Sequence, residues 1–229
     1  INLKRNNYLK KNKNAELLTS RFFVPSLNDK NIFKNKIQND IHVLGNTRFE
    51  KKWIYYLNRN AKKIEINNCN RYKIVFMLSK LEYGIKLKSL INTLEYLGGM
   101  KDVTLILKPH TRGMELKKFF NKNKYSNILN GEQYDSSSLI KWSDQILFTG
   151  SSIIFQAMIL NKKCIFLKNC LFVKSIFDQT NSVFKLEKLS HLSDIIRSNK
   201  SKKKFVNAFI KKTVYNGNNS DFVNNKLYQ

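Results

Sequence analysis

Two short stretches gather the side chains best suited to handling an anion. Lys108-Pro109-His110-Thr111-Arg112 places three groups that can carry positive charge within one turn of chain. Arginine offers forked donors that match phosphate geometry, and lysine offers a point charge. His110 can donate a hydrogen bond or pass a proton near neutral pH. The second stretch is Thr149-Gly150-Ser151-Ser152-Ile153-Ile154-Phe155-Gln156-Ala157. There a glycine permits close backbone approach, and two hydroxyls stand where a helix is expected to begin. Helix N-termini present unpaired N–H groups and a positive partial charge, so they hold phosphate readily. Gln156 falls one turn into that helix, on a surface that could face a ligand. Gly45-Asn46-Thr47-Arg48 is a third turn with a basic residue. The ligand these groups suit best is a nucleotide diphosphate.

The elements that must position these groups alternate in type. Ile41–Leu44 reads as a short strand ending at Gly45, and Arg48–Leu57 has helical spacing through Phe49, Trp53, Ile54 and Leu57. Residues 58–70 are polar and loop-like. Lys73–Leu78 is an apolar run of the kind a strand buried on both faces requires. Leu87, Leu90, Ile91, Leu94 and Leu97 mark an amphipathic helix closed by Gly98-Gly99. Val103–Leu107 predicts a strand, Glu115–Phe120 a helix, Asn127–Leu129 a short strand, and Ser136–Trp142 a brief helix capped by its serines. Gln145–Phe148, Ser151–Leu160 and Cys164–Leu167 continue as strand, helix and strand. A weak strand at Val183–Leu186 and helices near 188–198 and 201–212 close the series. The alternation predicts an α/β fold with a doubly wound, Rossmann-like parallel sheet. In such a sheet ligands bind at the carboxyl ends of the strands, where all three turns lie.

Residues 1–40 are rich in Lys and Asn and read as an irregular lead-in, or as the tail of a missing N-terminal domain. Residues 41–229 read as the nucleotide-donor-binding domain. The first residue is Ile1, which points to a fragment. A chain of 229 residues, 42% hydrophobic and 12% aromatic, can bury a substantial core and is not globally disordered. The formal charge of +26 fits a nucleic acid, an anionic membrane leaflet or a phosphorylated substrate. The basic residues are spread over the whole chain, beside abundant Asn, and read as compositional drift. No RNA-binding aromatic signature, zinc finger or helix-turn-helix appears, so a nucleic-acid partner is disfavoured. An anionic membrane surface stays open as a partner. The cysteines (Cys69, Cys164, Cys170) are odd in number and lack metal-ligand spacing, and Cys164 reads as core. No metal site is expected. No apolar run approaches the roughly 20 residues of a membrane span. The chain reads as cytoplasmic, with peripheral attachment to the inner face of the membrane left open.

At these residues the chain resembles the C-terminal half of a GT-B glycosyltransferase. It is most similar to bacterial surface-carbohydrate biosynthesis proteins (capsule and lipopolysaccharide) and to the CDP-glycerol glycerophosphotransferases. Those families carry a Gly-x-Pro-Arg turn, matched by Gly45-Asn46-Thr47-Arg48 with Thr in place of Pro. Their Pro-His element with a nearby Arg is matched by Pro109-His110 and Arg112. Their Ser-Ser turn and Glu-Ala helix are matched by Ser151-Ser152 and Gln156-Ala157. The similarity runs from about residue 41 to the end, including the turn Val214-Tyr215-Asn216-Gly217. The resemblance implies a domain that grips a nucleotide-sugar or CDP-glycerol-like donor and passes its group to a glycan or lipid-linked acceptor. It needs no cofactor, the activated donor being the substrate. His110 and Arg112 would be the catalytic pair that neutralises the leaving phosphate. Lys108, Gly150, Ser151, Ser152, Gln156 and Arg48 would hold the donor. Gln156 departs from the usual Glu, since an amide can accept from a sugar hydroxyl but carries no charge. Nucleotide-sugar 2-epimerases share this architecture and form the alternative enzyme reading. A basic module for nucleic acid or a membrane surface is the alternative outside enzymes.

Overall fold

The computed structural model describes residues 21–34, 40–67, 69–110 and 120–214. Its centre is a six-stranded, wholly parallel sheet. The strands are β3 (Tyr72–Met77), β4 (Val103–Lys108), β5 (Ile128–Asn130), β6 (Gln145–Phe148), β7 (Lys163–Phe166) and β8 (Phe184–Lys185). Their spatial order is β5-β4-β3-β6-β7-β8. The chain builds outward from β3 to β5, returns to the other side of β3 with β6, and builds outward again. This is the doubly wound order with its switch point between β3 and β6.

The central strands are apolar for a physical reason. Ile74–Phe76, Leu105, Ile106, Ile146–Phe148, Ile165 and Phe166 are sealed from solvent, as crossover helices on both faces demand. The helix Leu87–Gly98 buries Leu90, Leu94 and Leu97. Asn127 pins its end, its Nδ2 donating to the carbonyls of Leu97 and Met100 at 3.0 Å and of Val103 at 3.1 Å. On the other side Phe148, Phe155, Phe166, Phe177 and Phe209 form a continuous ring cluster, with neighbouring centroids 4.8–6.1 Å apart. Such pairs add to the energy of simple apolar burial.

The strand expected at 41–44 forms as β2 (Asp40–Val43), outside the main sheet. It pairs in parallel with β1 (Arg21–Val24), inside the segment read as lead-in. The helix Leu27–Phe33 between them packs on the late helix Lys203–Thr213. Long-range pairing of this kind leaves little trace in local periodicity. The helix expected at Glu115–Phe120 lies outside the described residues except for its last position, as do Tyr215–Gly217 of the late turn. Among the described residues no helix is long and apolar enough to cross a membrane.

Candidate functional site

The sheet register brings three strand ends level. Met77 of β3 stands opposite Lys108 of β4 on one side and Phe148 of β6 on the other. The residues that follow therefore leave the sheet side by side, about 4.8 Å from strand to strand. A hydrogen bond of 2.9 Å from Thr149 Oγ1 to Ser79 Oγ, fully buried, locks the loops after β6 and β3 together. Above them lies a cleft of about 340 Å³ lined by Arg48, Lys108, His110, Ser136, Ser151 and Ser152, with Tyr83 at its wall. Five residues singled out from sequence thus converge at the switch point.

Arg48 arrives from outside the sheet. Gly45, with φ of +86°, turns the chain after β2, and Asn46 Oδ1 accepts from the Arg48 N–H at 3.1 Å to open the short turn Thr47–Phe49. Phe49 then anchors that turn, buried edge-on against Phe155 at 5.3 Å. The Arg48 guanidinium lies 5.6 Å over the Phe49 ring and faces the cleft. His110 packs edge-on against Tyr83, centroids 6.4 Å apart, which orients the imidazole. Arg112 lies outside the described residues.

Lys108 plays a different part from the one expected. Its Nζ donates to the carbonyls of Glu132 at 3.1 Å and Tyr134 at 2.6 Å. Burial lowers its pKa, offset in part by Asp135 and Glu132. The ammonium fastens the loop that leads from β5 into the helix Ser136–Trp142, and so places Ser136 on the cleft wall.

The serines also differ from expectation. The helix after β6 spans only Ile154–Ile159, with Ile153 at its N-cap and no side-chain capping bond. Ser151 and Ser152 form the preceding turn, their carbonyls accepting from Ile154 and Phe155 N–H. Among the described residues neither hydroxyl has a hydrogen-bond partner, so both are available to a ligand. Gly150 is exposed, and a Cβ there would meet only Ser79 Oγ at 3.4 Å, so nothing near it requires glycine. Gln156 does not face the cleft. It is buried, and its Nε2 donates to Ser137 Oγ at 2.9 Å, tying this helix to Ser136–Trp142.

The serine run at 136–138 is not its own cap. Asp135 is the N-cap, its carboxylate accepting from the Ser138 N–H at 2.9 Å and the Ser138 hydroxyl at 2.6 Å. Burial alone would raise the Asp135 pKa; the hydrogen bonds from Ser138, from the Ser137 N–H and from its own N–H outweigh it and hold the group low. Sequence reasoning missed Tyr83 and Ser136 as cleft residues. Their signal was position alone, each lying just beyond the carboxyl end of a parallel strand.

No protein-family model matches the sequence, and no curated protein matches it. Solved structures do share its fold. The wall teichoic acid polymerase TagF superposes with a TM-score of 0.56 at 14% identity, covering 97% of this chain and 61% of that one. UDP-GlcNAc 2-epimerase from Methanocaldococcus jannaschii, solved in complex with UDP-GlcNAc and UDP, gives a TM-score of 0.64 at 20% identity. That match covers 92% of this chain and 62% of the epimerase. The chain thus spans about three fifths of the length of these structures. The fold is α/β and Rossmann-like, with a parallel sheet of the kind found in GT-B proteins.

Proposed function

We propose that this chain is the donor-binding half of a transferase that builds a cell-surface polysaccharide from a nucleotide-activated sugar or a CDP-glycerol-like donor. The observation that carries the reading is the cleft at the switch point, where Arg48, His110 and the hydroxyls of Ser151 and Ser152, unpartnered among the described residues, face one volume. A diphosphate seated there accepts from the hydroxyls and the guanidinium. His110, with Arg112 next along the chain, offsets the charge that develops on the departing phosphate, a large term in reactions of this kind. Ser136, whose loop and helix start are fastened by Lys108 and Asp135, supplies a further donor to the cleft. The acceptor is a glycan or a lipid-linked chain.

The second reading is a nucleotide-sugar 2-epimerase, favoured by the higher TM-score against the epimerase than against the polymerase. Incubating the protein with UDP-GlcNAc in the absence of acceptor separates the two, since epimerised donor supports only the second. The shared premise is tested by titrating CDP, UDP and CMP, and then duplex DNA, at two salt concentrations. Preference for a diphosphate over CMP supports the cleft. Steeply salt-dependent DNA binding without nucleotide preference overturns it.

A further inference from the structure

The helix Lys51–Asn60 turns an unusual face to solvent. Its inner side is anchored by Ile54, which is fully buried, and its far end is held by Lys141, whose Nζ donates to the carbonyls of Arg59 at 3.3 Å and Ala61 at 3.1 Å. The outer side is aromatic. Trp53, Tyr55 and Tyr56 are 45%, 51% and 57% exposed. At 3.6 residues per turn, Lys52, Tyr56 and Arg59 form one outward stripe, with Tyr55 and Trp53 on its two flanks. Lys51, Lys62 and Lys63 add charge at the ends, and no acidic residue occurs from 51 to 63. Of these cations Lys63 is paired, to Glu65 at 2.9 Å.

We infer that this face docks on an anionic phospholipid bilayer, with the helix lying in the plane of the headgroups. Trp and Tyr combine an apolar body with a polar tip and collect at the water–lipid boundary. Interleaved Lys and Arg on an amphipathic helix add attraction to an anionic leaflet. The aromatic arrangement favours lipid over single-stranded nucleic acid, which is bound by ring faces lining a groove. Here the surface is a convex helix, and the Trp53 and Tyr56 rings are stacked on each other at 5.4 Å and 14°, covering their facing sides. Arg48, three residues before the helix, lines the cleft. The inference stands apart from the donor-site reading, and either can fail alone.

The test is co-sedimentation of the purified chain with phosphatidylcholine vesicles, with and without phosphatidylglycerol, combined with Trp quenching by brominated lipid. Partitioning to the anionic vesicles is expected, with quenching that disappears in Trp53→Phe. Replacing Trp53 and Tyr56 together by Ala weakens partitioning roughly tenfold. Lys52→Gln and Arg59→Gln each weaken it roughly fivefold. Lys203→Gln with Lys204→Gln, on another exposed helix of this basic chain, leaves it unchanged. Equal loss from that control pair assigns the binding to diffuse charge and overturns the inference. Absence of vesicle binding, or quenching that survives Trp53→Phe, overturns it too. So does binding of a single-stranded oligonucleotide that the Trp53 and Tyr56 changes abolish while vesicle binding persists.

Discussion

Two clefts of nearly equal size open at opposite ends of the same sheet, and both are lined with cations. The one at the carboxyl ends of the strands encloses about 340 Å³, the one at the amino ends about 360 Å³. In the amino-end cleft Lys163 Nζ donates to the carbonyls of Ile195, Ile196 and Ser198, closing the end of the helix Leu192–Arg197. Burial lowers its pKa from 10.5 to about 8, which leaves it protonated at neutral pH with its donors engaged. Gln145 beside it donates to the Ile196 carbonyl at 2.8 Å. In the carboxyl-end cleft Lys108 is engaged in the same way, whereas among the described residues the hydroxyls of Ser151 and Ser152 are not. The part-buried lysine therefore serves structure at both ends. Available donors at the switch point, among the described residues, single out the carboxyl end as the candidate site.

The largest expected effect breaks the comparison at the amino end. Lys163→Met strips three carbonyls of their charged donor and should cost about 3 kcal/mol in denaturant unfolding. It should leave nucleotide affinity unaltered wherever the protein remains folded. At the carboxyl end, Ser151→Ala with Ser152→Ala should weaken diphosphate binding roughly tenfold with no loss of stability. A stability loss typical of a missing cap would restore the helix-cap role read from sequence. Asp135→Ala should cost about 1 kcal/mol, the usual worth of an N-cap. Because its carboxyl is held below the ordinary 3.8, Asp135 stabilises the fold above that pH, and the contribution vanishes as pH falls through the lower folded value. Melting curves of wild type and Asp135→Asn from about pH 7 to about pH 2 should converge at the acid end. Smallest of all, Gly150→Ala should change stability by less than about 0.5 kcal/mol and affinity by less than about twofold, since its Cβ enters nearly open space.

The strands were legible because a doubly covered sheet demands unbroken apolar runs, and Lys73–Leu78, Val103–Leu107 and Gln145–Phe148 supply them. The convergence of Lys108, His110, Ser151 and Ser152 on one cleft followed from sheet polarity. What each side chain does there was less legible. Serine before an apolar run suggests a cap, yet at 151–152 the helix begins later, and at 136–138 the cap is the preceding Asp135. Helical phase alone does not say which partner a residue meets, so Gln156 read as facing a ligand although it bonds Ser137. Lys108 read as a phosphate ligand because its carbonyl partners lie 24 and 26 residues away. The pairing of β1 with β2 escaped detection because nothing local encodes which strand a short apolar run will join.

The central claim is that the anion site lies at the carboxyl ends of β3, β4 and β6. Calorimetric titration of UDP and CDP into wild type, Arg48→Ala, His110→Ala, Arg71→Ala and Lys200→Ala tests it most directly. Arg71 and Lys200 line the amino-end cleft. One site is expected, weakened roughly tenfold by either of the first two changes and untouched by the last two. Loss of binding in Arg71→Ala or Lys200→Ala, with Arg48→Ala and His110→Ala unaffected, would contradict the account.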